Sequence, residues 1–166
     1  MRSLLTTLLL GLSLTAHAGR YELVIDEGRV NFSDGSREAL TINGQSPAPE
    51  LRFKEGETVE IAVTNKLDRM TALHWHGIIL PYTQDGVPGV SFPGIKPGET
   101  FTYRFTLNQS GTYWYHAHAD FQEQEGLYGS LIIEPRNREP YRYDREYTVL
   151  LFDWQDEKPE RTLANL

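Results

Sequence analysis

Thr58-Val59-Glu60-Ile61-Ala62-Val63-Thr64 decides the fold class. Val59, Ile61 and Val63 fall on one face of an extended chain, and Thr58, Glu60, Ala62 and Thr64 on the other. Phe101, Tyr103, Phe105 and Leu107 repeat the pattern against Thr102, Arg104 and Thr106. Tyr113 and Tyr115 alternate with Thr112, Trp114 and His116. Tyr21–Asp26, Leu131–Ile133 and Val149–Leu151 are shorter β-prone or apolar runs, and no stretch sustains a 3.6-residue period. Turn signals fall between the runs at Asp34-Gly35, Asn43-Gly44, Glu55-Gly56, Pro97-Gly98 and Ser110-Gly111. The chain therefore reads as all-β, a sandwich or a barrel, with room for short helical turns only in 120–127.

Composition sets the outer limits. A chain of 166 residues, 39% apolar and 11% aromatic, can pack one domain and is not disordered throughout. The absence of cysteine excludes disulfides, Cys-ligated zinc, iron–sulfur clusters, a thiol nucleophile and a blue-copper centre. A net charge of −7 argues against nucleic acid as a partner.

Residues 1–18 read as a secretory signal peptide. Met1-Arg2 is a short basic start, Ser3–Thr15 is leucine-rich and uncharged, and Ala16-His17-Ala18 offers small residues at the cleavage site. Cleavage after Ala18 predicts a periplasmic or secreted chain with no remaining membrane span. Pro81–Gly98 holds four prolines and four glycines, and a loop of that length and composition is more often functional than incidental. Charged, Pro-containing Arg136–Arg145 reads as a linker.

The remaining four histidines stand in two pairs of one spacing, His74-Trp75-His76 and His116-Ala117-His118. On a strand, residues i and i+2 share a face, so each pair projects two imidazoles together. Trp75 then points into the core. Two such pairs, with no histidine elsewhere after residue 18, point to a metal site. A site of imidazoles without soft ligands suits Cu, Zn, Ni or Fe, and affinity favours Cu(II). No Gly-x-Ser-x-Gly elbow, P-loop, dinucleotide fingerprint or His-Glu-x-x-His is present. Glu123 and Glu125 read as a solvated surface pair rather than a glycosidase couple.

Leu73-His74-Trp75-His76-Gly77, Asp85-Gly86-Val87-Pro88, Gly111–His118 and Gln124–Gly129 together resemble the N-terminal cupredoxin domain of multicopper oxidases, most nearly the copper-resistance (CopA-type) branch. The resemblance runs from about Tyr21 to Trp154 and implies a cupredoxin-like Greek-key β-sandwich. It divides the chain into signal peptide 1–18, a cupredoxin-like domain 19–137, and a linker with the truncated start of a second domain, 138–166. It also implies a type 2 copper ligand at His74 and type 3 ligands at His76, His116 and His118, half of a trinuclear cluster. Asp85 matches a carboxylate beside that cluster that moves protons. Trp114 and Tyr115 read as core packing.

A complete enzyme of this kind would oxidise Cu(I) or phenols and reduce O2, in copper tolerance. It needs second and third cupredoxin domains, or a partner chain, to supply a type 1 copper cysteine. This chain has none, so the isolated chain is expected to be inactive. The alternative is an exported copper-sequestering module without oxidase activity. A weaker one is a symmetric dimer assembling eight histidines.

Overall fold

The computed structural model describes residues 19–33 and 35–166, so the signal-peptide reading of residues 1–18 lies outside the described residues. Among the described residues, eight strands form two four-stranded sheets. They are β1 (Gly19–Ser33), β2 (Gly35–Ile42), β3 (Ala48–Lys54), β4 (Thr58–Asn65), β5 (Leu73–His76), β6 (Thr100–Thr106), β7 (Gly111–Ala117) and β8 (Tyr128–Glu134). The first sheet has the order β2-β1-β4-β6 and the second β3-β8-β7-β5. A single turn of 3-10 helix (Tyr82–Gln84) lies in the proline-rich loop, and one short helix, α1 (Pro159–Ala164), lies near the end. No helix among the described residues is long and apolar enough to cross a membrane.

The alternating stretches became the walls of the core. Val59, Ile61 and Val63 of β4 are buried, as are Tyr103 and Phe105 of β6. They meet Leu51, Phe53, Trp75, Tyr115, Leu131 and Ile133 of the second sheet, and removing this apolar surface from water is the main force holding the sheets together. Trp75 is the central contact between sheets. Its ring lies 5.1 Å from Tyr103 and 5.6 Å from Phe105 on the opposite sheet, and 5.8 Å from Tyr115 beside it. Tyr103 and Tyr115 also tie their polar ends to main chain. Leu73 N–H donates to the Tyr103 hydroxyl at 3.3 Å, and the Tyr115 hydroxyl donates to the Pro49 carbonyl at 2.7 Å.

β1 is longer than its apolar run implies. Its first half pairs parallel with β4, and its second half antiparallel with β2. The turn at Asn43-Gly44 has both residues at positive φ, 52° and 74°, the conformation that tight hairpins require and that glycine adopts freely. Ile42 and Gln45 exchange two main-chain hydrogen bonds across it, at 2.9 and 3.1 Å.

The apolar run at 149–151 is not a strand. From Tyr147 to Asp153 the chain makes no ladder, and Tyr147, Val149 and Leu151 are exposed. Side chains hold this segment instead. Glu146 pairs with Arg52 at 3.7 Å, and Phe152 lies 5.1 Å from Phe32 and 4.6 Å from Tyr128. Strand formation needs a partner edge in register, which these side-chain contacts do not supply.

Candidate metal centre

Burying Trp75 turns both of its neighbours outward, because successive side chains on a strand alternate. β5 pairs antiparallel with β7, in a register that sets His74 directly opposite His116 and His76 opposite Trp114. Three imidazoles thus meet on the outer face of the second sheet. One ligand nitrogen from each of His74, His76 and His116 can be chosen so that all three lie within 4.8 Å of one another. His76 Nδ1 and His116 Nε2 are 3.3 Å apart, a separation at which two nitrogens share a proton or face one ion.

His118 stands just past the end of β7, where its N–H donates to the Ala72 carbonyl at 3.1 Å. Its exposed ring lies 5.5 Å from that of His74 and 6.0 Å from that of His116, outside the group of three. Trp114 is not in the core. It stacks on the rings of His76 at 4.8 Å and His116 at 4.1 Å, because period two places it on their face. Tyr115 is buried as expected.

Two of the imidazoles are oriented by oxygen acceptors at Nδ1. His74 Nδ1–H donates to the Asp85 carbonyl at 2.7 Å, with Asp85 Oδ1 at 3.3 Å. The proline-rich loop brings Asp85 there. The Asp85 N–H closes the helical turn onto the Tyr82 carbonyl at 3.1 Å, and Gln84 Oε1 accepts from Arg104 N–H of β6 at 2.7 Å. His116 Nδ1 faces Glu123 Oε2 at 2.7 Å and the Ala117 carbonyl at 3.0 Å. In both histidines Nε2 is left as the nitrogen for a metal.

Glu123 and Glu125, read from sequence as one solvated pair, have separate partners. Glu125 pairs with Arg69 at the surface, and Glu123 with a site histidine. Sequence carried only a weak signal for this. Asp120–Gly126 is a turn whose main-chain bonds, such as Glu125 N–H to Phe121 O at 3.0 Å, fold it back over β7.

Burial, and then the charges of His74, His76 and His118, hold His116 well below its usual 6.5, to about 4, against the opposing bond to Ala117. At neutral pH the contact with Glu123 is therefore a hydrogen bond from a neutral imidazole. Burial likewise raises the Glu123 carboxyl above its ordinary value, while His118 and His76 pull it down.

The unfolded chain takes a proton on this histidine near 6.5, and the folded chain refuses it until about 4. This group's contribution to the stability of the metal-free chain is thus present above 6.5 and lost as pH falls between those values. Urea midpoints at pH 7 and 4.5, with an NMR titration of His116, check this. A His116 midpoint near 6.5 would contradict it.

A family model for multicopper oxidases matches residues 24–138. The chain is 49% identical over 161 residues to copper resistance protein A of Escherichia coli, covering 97% of this chain and 27% of that protein. It is 45% identical over 132 residues to L-ascorbate oxidase of Nicotiana tabacum, covering 75% and 23%. A crystal structure of a multicopper oxidase from Pseudomonas thermotolerans superposes with a TM-score of 0.74 at 38% identity, over 78% of this chain and 32% of that one. The chain spans about a quarter of the length of the relatives it matches. The two-sheet architecture is accordingly cupredoxin-like. Converging imidazoles without a thiolate fit the copper that the family implies. With the matched region running through both His-x-His pairs, the chain belongs to the multicopper oxidase family.

Proposed function

We propose that this domain contributes four histidines, half of the protein ligands, to a trinuclear copper cluster in an oxidase acting in copper tolerance. His74 serves the type 2 copper, and His76, His116 and His118 the type 3 pair. The observation that supports this is the meeting of His74, His76 and His116 on one sheet face through the β5–β7 register. Bound copper supplies electron transfer to O2. The chain's own residues bind and orient. His74 and His116 present Nε2 because oxygen acceptors engage Nδ1, and Trp114 packs against two of the rings. Asp85, with Oδ1 at 3.3 Å from His74, holds and relays a proton beside the site. The exposed ring of His118, 5.5 Å from that of His74, completes the set of four.

Oxidation of Cu(I) or a phenol requires a type 1 copper cysteine, which further cupredoxin domains or a partner chain would provide. The isolated chain is therefore expected to retain copper after loading and desalting, but to consume no oxygen with either substrate. His116→Ala should weaken copper binding by more than the roughly 100-fold expected for a residue that only supports a ligand. Retention of no copper by the parent chain overturns the reading, and oxygen uptake by the isolated chain overturns the division of labour. The loaded chain should also lack an intense blue thiolate band. Residues 1–18 would direct export to the periplasm or beyond, and exported protein beginning at Gly19 would bear this out.

A second reading, a copper-sequestering module, draws on the three imidazoles converging within a single chain. It predicts the same retention, with copper tolerance supported in cells by this chain alone.

A further inference from the structure

We infer that Glu123 is a positioning residue that fixes the orientation and tautomer of His116 and thereby its affinity for metal, a role that rests on the copper reading above. The turn carrying Glu123 is anchored one residue earlier. Gln122 is buried, and both ends of its amide are used. Its Oε1 accepts from the Thr71 hydroxyl at 2.6 Å, and its Nε2 donates to the Met70 carbonyl at 2.8 Å. Leu127 N–H closes the turn onto the Gln122 carbonyl at 3.0 Å. These bonds clamp the segment to the chain just before β5, so Glu123 is held relative to the stretch that leads into the strand carrying His74 and His76.

From there Glu123 Oε2 reaches His116 Nδ1 at 2.7 Å. A neutral imidazole has one N–H and one bare nitrogen. Both groups at Nδ1, the Glu123 carboxylate and the Ala117 carbonyl at 3.0 Å, are acceptors. The alternative Nε2–H tautomer would set a nitrogen lone pair against two oxygens and would point its proton at the ligand position. The carboxylate is the nearer of the two acceptors. Glu125 cannot substitute for it, because Arg69 holds that side chain elsewhere.

The test uses Glu123→Ala and Glu123→Gln in the full chain, with two readouts. Long-range proton–nitrogen NMR on the metal-free protein reports the His116 tautomer. Titration against a copper chelator reports affinity. The parent is expected to show Nδ1–H only. Glu123→Ala should shift His116 toward Nε2–H and lower copper affinity by about 10–100-fold. Glu123→Gln retains an acceptor oxygen and should keep the tautomer, with affinity within about threefold of the parent. A parent in the Nε2–H form, an alanine variant that keeps Nδ1–H, or a shifted tautomer with unchanged affinity would each overturn the inference. The tautomer readout needs no copper, so a parent that binds none would refute the copper reading and still leave Glu123 decided.

Discussion

Trp75→Ala lowers the unfolding free energy by about 3–5 kcal/mol, the largest stability effect expected from any substitution considered for this domain. The side chain is wholly buried where the two sheets meet, so truncation opens a cavity between them. The cavity cannot easily collapse. Tyr103 is held by the Leu73 N–H and Tyr115 by the Pro49 carbonyl, so two of the walls are tied to main chain. No hydrogen bond is lost, because Trp75 Nε1 is buried with no partner. The penalty is therefore one of packing and transfer from water. Trp75→Phe, which removes that orphan donor and keeps a ring, should cost under about 1.5 kcal/mol. Urea unfolding followed by circular dichroism measures both. A loss below about 1 kcal/mol for the alanine variant would mean that β5 is not pinned by this contact.

Gly86→Ala is expected to cost about 2–4 kcal/mol and to reduce copper affinity by about 10–100-fold. Gly86 has φ of +75°, which strains any residue with a Cβ. An added Cβ would also run into the Leu73 carbonyl oxygen, main chain of the strand that carries His74. The loop must then lift, taking the Asp85 carbonyl away from His74 Nδ1. Gly44→Ala separates the two causes. Its φ is +74°, but an added Cβ there meets nothing within 4 Å, so only the conformational cost of about 1 kcal/mol remains. Asp85→Asn keeps the main-chain carbonyl on His74 and should hold copper within about threefold of the parent. Equal copper affinity in Gly86→Ala and the parent would show that the loop does not orient His74.

The parts of the fold legible in the chain were those where burial demands alternation. β4 and β6 announce themselves because one face of each lies in the core. β2 and β3 gave less warning. Gly35-Ser36-Arg37-Glu38 is polar, and in β3 the alternation of Leu51 and Phe53 with Glu50, Arg52 and Lys54 is short and preceded by Pro49. The second half of β1 is polar as well. It is a strand because its main chain has β2 to pair with, and hydrogen-bonded ladders do not require apolar side chains. The error at 149–151 has the converse cause. An apolar run reads as a strand, yet without a partner edge in register it stays extended and exposed.

By itself the sequence determined that His74, His76 and His116 lie on strands, that His74 and His76 share a face, and that Trp75 opposes them. Those follow from a local period of two. Which histidines meet was decided only by tertiary structure. The β5–β7 register sets His74 opposite His116 and leaves His118 past the strand end, outside the group of three. The support of the imidazoles was also beyond the sequence. Asp85, 11 positions along the chain from His74, reaches it through the proline-rich loop, and Glu123 reaches His116 through a turn locked by Gln122. No periodicity encodes such contacts, because they depend on where separate segments are brought together when the two sheets close on their core.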